Sequence, residues 1–266
     1  MNEARSQSAG SYLYCVAYLR PLGEGGSSLQ LTGVDGNPVR VISQGDLAAV
    51  VSDAQTEQYD VTLENVRAHE AVVEAVMQRS DVLPVSFGTV ASSDQEIQQR
   101  LLQLEADELR SQLESVKGRV EMGVKALWQQ DALFAHLVAK YSDIQELREQ
   151  IVGTTPEETY DLRMELGELT DQAIQREREE DAAAILDALS PLALATQTNK
   201  LITDMMIVNA AFLVDKSQVP AFTERVNALR QATEGRMTVQ VAGPLPPYNF
   251  VTLALKWGEP SNAATQ

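Results

Sequence analysis

Two histidines and one cysteine carry most of the reactive chemistry this chain could offer. His69 and His136 form no H-x-x-x-H pair, and no Cys/His cluster has the spacing of a metal site. Cys15 stands inside the apolar run Tyr12–Leu19, where a thiol is more often a small buried hydrophobe than a nucleophile. No G-x-S-x-G, Walker A or G-x-G-x-x-G pattern occurs. Gly23-Glu24-Gly25-Gly26-Ser27-Ser28 is rich in glycine and follows a strand. No lysine follows it and no helix opens there, so it lacks the parts of a phosphate cradle. His69-Glu70 is the best polar pair. Glu70 falls on the apolar stripe of a helical segment with His69 beside it, so one of the two must face inward. The expectation is a satisfied buried hydrogen bond that anchors the helix to the segment Pro84–Thr89; the alternative is a ligand or proton-transfer role. No catalytic, cofactor-binding or metal-ligating residue is assigned, and the expected class is non-enzymatic.

The elements that position these groups follow from periodicity. Tyr12–Leu19 is a strand covered on both faces. Leu29–Leu31 and Val39–Ile42 bracket a hairpin turn at Val34-Asp35-Gly36-Asn37, and Leu47–Ser52 is a further strand. A first helix spans Thr62–Arg79, with Thr62 as N-cap and Leu63, Val66, Val73 and Met77 on its stripe. Asp81–Val90 reads as a strand bent at Gly88. Ser93-Asp94 opens a second helix with Ile97, Leu101, Leu104, Leu109, Leu113 and Val116 inward, closed by Lys117-Gly118. Val120–Trp128 alternates as a half-buried strand with Glu121 on the polar face. A third helix runs from Asp131 to Ile151. Thr155-Pro156 opens a long helix to Leu189, stopped by Pro191, and its charged middle from Gln175 to Asp181 reads as a solvated face. Met205–Val214 is the most apolar run and a central strand. A helix to Ala232 and a strand from Met237 follow. Gly243-Pro244-Leu245-Pro246-Pro247 then forms a stiff corner that ends that strand and leads into a last one from Asn249 to Leu255.

Composition bounds the function. The net charge of −17, from 38 acidic and 21 basic residues, disfavours nucleic acid or an anionic membrane as partner. No run of about 18 apolar residues is present, so no transmembrane helix is expected. The polar Met1–Ser11 shows no secretory h-region, and a single cysteine fits a reducing cytoplasm. The expected fold class is α+β in two domains. Residues 1–10 form a disordered lead, and 11–118 an N-terminal ferredoxin-like domain. Residues 119–257 form a C-terminal α+β domain, itself a ferredoxin-like variant, with a helical insertion at 156–189. Residues 258–266 form a flexible tail.

Several phrases, in order, are similar to the gas vesicle protein F/L family. They are Tyr12-Leu13-Tyr14, and His69-Glu70 followed by Leu83-Pro84-Val85-Ser86-Phe87-Gly88-Thr89. Next come Val120-Glu121-Met122-Gly123-Val124-Lys125 and Asn209-Ala210-Ala211-Phe212-Leu213-Val214. Last is Gly243-Pro244-Leu245-Pro246-Pro247-Tyr248-Asn249-Phe250-Val251. Together they reach across residues 11–255. The chain departs from the pattern at Ser86, where the family usually has arginine, and at Leu245, where it usually has tryptophan. The resemblance implies two α+β domains, the first a modified ferredoxin-like one. It implies an accessory or minor structural protein of the gas vesicle in the cytoplasm. Such a protein binds the major, very hydrophobic shell protein and other gas vesicle accessory proteins, and acts early in assembly. It implies no catalytic residue and no cofactor. Two other readings stand beside it: a ligand-binding regulatory module of paired ferredoxin-like domains, and a cofactor-free enzyme using His69.

Overall fold

Strand β1 (Gly10–Tyr18) is the middle of the first sheet, and Tyr12 to Ala17 have no exposed surface at all. The computed structural model describes residues 10–22, 29–251 and 253. Residues 1–9 of the expected disordered lead (1–10), residues 23–28 of the expected glycine-rich loop (21–28) and the expected flexible tail (258–266) lie outside the described residues, whereas Gly10 begins β1 and Pro21 and Leu22 end a one-turn helix. After β1 come a one-turn helix α1 (Leu19–Leu22), β2 (Arg40–Gln44) and β3 (Leu47–Ala54). Helix α2 (Leu63–Met77), β4 (Val82–Pro84) and β5 (Val90–Ala91) follow. The sheet order is β2-β3-β1-β4, with β5 also beside β1. β1 runs antiparallel to β3, and a bulge between Leu13 and Cys15 shifts the register. The bulge leaves Leu13 and Val16, three residues apart, in one apolar cluster, which strict alternation forbids. The expected turn forms at Val34–Gly36, closed by a single bridge, Thr32↔Pro38, and not by flanking strands.

Helix α2 begins where its cap says it should: Thr62 Oγ1 accepts from the Asn65 N–H at 3.2 Å. Its inward stripe differs from the expected one. His69, Val72, Val73, Val76 and Met77 are buried, whereas Leu63 and Glu70 are exposed. The expected strand 81–90 is two short strands, because Gly88 turns the chain at φ +82°.

The expected second helix is three pieces: α3 (Asp94–Glu96), a π-helical stretch Ile97–Gln103, and α4 (Ala106–Ser115). A π-turn takes up an extra residue and so breaks the regular spacing. Ile97, Leu101, Leu102, Leu109 and Leu113 turn inward and Leu104 outward, at 75% exposure. With Val251 and Leu253 against them, these side chains cover the Leu13/Val16 face of the sheet.

The chain forms two compact units, one through Glu121 with the stretch from Leu245, the other Met122–Pro244. β6 (Arg119–Trp128) opens the second sheet. The expected third helix is two helices, α5 (Gln130–Lys140) and α6 (Ser142–Ile151), because Tyr141 leaves helical geometry at φ −111°, ψ 104°. Helix α7 (Tyr160–Leu189) starts later than Pro156. Thr155 does cap locally, exchanging hydrogen bonds with Glu158, but it caps a turn rather than the helix.

β7 (Ala195–Thr198) is a strand that the sequence pattern does not predict; all four of its residues are exposed. β8 (Met206–Asp215), α8 (Val219–Ala232) and β9 (Met237–Leu245) complete the order β7-β8-β6-β9. The core of this unit joins Met122, Val124 and Trp128 of β6 to Val208 and Phe212 of β8. It also takes in Phe222 and Val226 of α8 and Ile185 and Leu189 of α7.

The proline corner also differs from the expected break between two strands. β9 runs on through Gly243, Pro244 and Leu245. β9 is an end strand, and an outward proline there breaks no ladder bond. The expected final strand is a turn over 248–250, with Tyr248 N–H donating to Pro246 O and Phe250 N–H to Pro247 O. Residues 252 and 254–255 of that strand lie outside the described residues.

Candidate functional site

The first unit buries an aromatic cluster on one histidine. His69, from the middle of α2, is 1% exposed. Its Nε2 lies 3.1 Å from Val85 O, a carbonyl that only accepts, so Nε2 carries the proton. Nδ1 is then an acceptor, and the Tyr12 hydroxyl donates to it at 3.0 Å. That hydroxyl also accepts from the Gly88 N–H at 2.9 Å, and this is why the turn at Gly88 comes so close to β1. Tyr14 accepts from the Val34 N–H at 2.9 Å and shares a 2.8 Å hydrogen bond with Ser52 Oγ. The Tyr12 ring lies 4.8 Å from Tyr14, 5.1 Å from Tyr59 and 6.3 Å from Phe87. Tyr59 donates to Asp35 at 2.7 Å.

Burial dominates the electrostatics of this cluster. It lowers His69 to about 4, with the Val85 carbonyl opposing, so the ring is neutral near pH 7. It pushes the Tyr12 and Tyr14 phenols up, and Tyr59 to about 12 with help from Asp35. Both nitrogens of His69 are therefore committed inside the protein. The expected anchor to the Pro84–Thr89 segment is present, and Glu70 has no share in it. Cys15 is fully buried, and burial raises its thiol far from thiolate character.

In the second unit the charged middle of α7 is not wholly a solvated face. Ala173, Glu177, Asp181, Ile185 and Leu189 recur every four residues and are all buried. Glu177 Oε1 accepts from Lys140 Nζ at 2.6 Å and from the Tyr141 hydroxyl at 2.9 Å, and Oε2 bonds His136 Nε2 at 2.8 Å. Burial raises the Glu177 carboxyl, but the three donors outweigh it and hold the group below its ordinary value. Asp181 accepts from the Trp128 indole N–H at 2.7 Å and from both Nη groups of Arg236, at 2.7 and 2.8 Å. Arg178 sits over the Trp128 ring at 5.4 Å. His136, which had no expected role, is thus one of the groups tying α5 to α7. The signal was in the sequence: Glu177 and Asp181 stand in register with Ala173, Ile185 and Leu189.

A third buried carboxylate, Glu121, lies on β6 and is 5% exposed, although alternation had placed it outward. Asn249 clamps it, its backbone N–H on Oε2 at 2.8 Å and its side-chain amide on Oε1 at 2.7 Å. Burial raises Glu121, and the two bonds from Asn249 oppose the shift. Of the two departures from the family pattern, Ser86 is exposed and Leu245 half-buried.

These features define a class: a mixed helix-and-sheet protein whose buried ionisable and polar side chains face one another within each unit. The chain belongs to the gas vesicle synthesis protein GvpL/GvpF family, whose sequence model matches residues 10–252. It is 31% identical to gas vesicle protein F of a Streptomyces species over 216 residues, covering 80% of this chain and 88% of that protein. It is 29% identical to gas vesicle protein L1 of Halobacterium salinarum, covering 94% and 92%. The crystal structure of the gas vesicle protein GvpF from Anabaena superposes with a TM-score of 0.80 at 25% identity, over 93% of this chain and all of that one. Among the described residues no helix is long and apolar enough to cross a membrane, and no group of three His, Cys, Asp or Glu is placed to hold a metal ion.

Proposed function

We propose that this protein is a non-enzymatic accessory or minor structural protein of the gas vesicle. It binds the small hydrophobic shell subunit and assists early assembly in the cytoplasm. Family membership across residues 10–252 carries this reading. Two physical observations support it. The histidine with the most perturbed environment has both nitrogens bonded internally, which leaves it no proton-transfer partner outside the protein. A net charge of −17 suits a protein that must keep an apolar partner in solution. The exposed edge strand β7 and the outer side of α7 offer β-addition or helix docking to that partner.

We also read each unit as a variant of the ferredoxin-like arrangement. The strand orders β2-β3-β1-β4 and β7-β8-β6-β9 support this, because both place the first strand of the unit between the third and the fourth. In the first unit the described part of the connection from β1 to β2 holds the one-turn α1 and the short 3-10 turn at Val34–Gly36. In the second the corresponding connection is α5, α6 and α7.

Co-expression of the tagged chain with the shell subunit, followed by affinity capture, tests the functional reading. Recovery of the shell subunit with the chain supports it, and recovery of no vesicle component contradicts it.

A further inference from the structure

The α6–α7 connection exposes apolar side chains that no element of its own unit covers. Val152, at the end of α6, is 73% exposed; Tyr160 and Met164, one turn apart on α7, are 64% and 51% exposed. The inward stripe of this half of α7 is Leu166, Leu169 and Ala173, packed on the core. Tyr160 and Met164 lie two residues before Leu162 and Leu166, about 200° round the helix, so they face away from that core.

One turn further on, at Gly167, an added Cβ would meet nothing within 4 Å, so the seam past Met164 is low and open. The tip is also held in place. Thr159 is buried; its hydroxyl lies 3.1 Å from Thr154 Oγ1 and donates to Thr155 O at 3.0 Å. Six of the fifteen residues from Glu157 to Asp171 are acidic and all six are exposed; Arg163 is the only cation among them.

We propose that this tip is a docking surface for a helix of another gas vesicle protein, and that the helix carries an apolar face flanked by lysine or arginine. The apolar pair supplies the anchors. The gap at Gly167 lets a second helix approach closely. The acidic rim selects the charge of the flanks and excludes an acidic partner by like-charge repulsion. Met and Tyr suit the task, one adaptable and the other a rigid amphipathic anchor. The proposal rests on the reading of the chain as a binder of vesicle proteins.

The test uses the full chain, the Tyr160→Ser/Met164→Ser variant, and Ile202→Ser as a control at another exposed apolar residue. Both changed sites are exposed, so unaltered circular dichroism and melting temperature are required of each variant. In one arm each protein captures co-expressed vesicle proteins. In the other, each is titrated with a synthetic leucine-faced helix flanked by lysines, or by glutamates, and amide exchange is followed along α6 and α7. We expect the lysine helix to protect residues 152–164 and the glutamate helix to leave them unprotected. We expect the double variant to bind about tenfold more weakly, about 1.4 kcal/mol, and Ile202→Ser to bind as the parent does. Capture of vesicle proteins that is equal in parent and double variant overturns the tip and leaves the general function standing. Protection by the lysine helix without any vesicle protein captured overturns the general function and the assigned partner. No protection and no capture overturns both.

Discussion

At the scale of single residues, His69, Glu121, Glu177 and Asp181 are explained by the partners they already have. His69 is the clearest case: its tautomer follows from Val85 O, and its neutrality from burial. The sign of its pH effect follows. Its folded value near 4 lies below the ordinary 6.5, so between these values the unfolded chain binds a proton that the folded one does not. Stability is therefore full above about pH 6.5 and falls as pH drops towards 4, by an amount on the order of 3 kcal/mol. Glu121 acts with the opposite sign, because its folded value is raised. Urea unfolding of the parent and of His69→Gln across pH 7 to 4.5 separates the two: the loss of stability on acidification should be smaller in the variant. An equal pH dependence would contradict the assignment.

Gly33 gives a steric prediction. A Cβ built there lies 2.0 Å from the buried Tyr14 hydroxyl, so Gly33→Ala should lower stability by about 2 kcal/mol, seen as a lower melting temperature. Asn249→Ala leaves the Glu121 carboxyl buried without its clamp and should cost about 1–3 kcal/mol by the same measurement. This is the structural role of Asn249 in the proline phrase. The inward choice at His69 was foreseen as a pair, but the sequence could not say which member would turn in. The apolar stripe pointed to Glu70, and the Val85 carbonyl and Tyr12 hydroxyl that reward His69 come from distant parts of the chain.

Elements were legible where one periodicity ran unbroken. β1, β3, β8, α2 and α8 stand close to where their patterns put them, because each buries an apolar face that the sequence spells out. The misplaced boundaries have local causes: the π-turn before Leu104, the non-helical Tyr141, and the turn at 156–159 that uses up the Thr155 cap. β7 was invisible because an exposed four-residue edge strand has no apolar alternation to read. The charged stretch of α7 misled for a different reason. Charge density reads as solvation, whereas two acids in it replace apolar residues on the inward stripe and meet donors from β6, α5 and Arg236 in the turn before β9. That gives a prediction at this scale. Asp181→Ala leaves the Trp128 N–H and Arg236 without their acceptor. Arg236 is 37% exposed and recovers part of its solvation, so the loss should be about 1–3 kcal/mol, below the figure for a fully buried pair. Amide exchange should quicken along the second half of α7 more than in α2. Uniform quickening across both units would argue against a local clamp.

For the whole molecule, the acidic surface, the bonded interior and the family all point the same way. The family was legible because its phrases mark places with structural demands: the β1 tyrosines, the turn at Gly88, β6 and the Asn249 clamp. The proposed contact surface was not, since exposed residues such as Tyr160 and Met164 are under no packing constraint that a pattern could report. The central claim is that the chain acts by holding the hydrophobic shell subunit. The most direct measurement is the fraction of shell subunit that stays in solution, eluting with the chain in size exclusion, when the two are made together. The account predicts a soluble complex that appears only when the chain is present. A shell subunit equally insoluble with and without the chain, and never eluting with it, would contradict the claim.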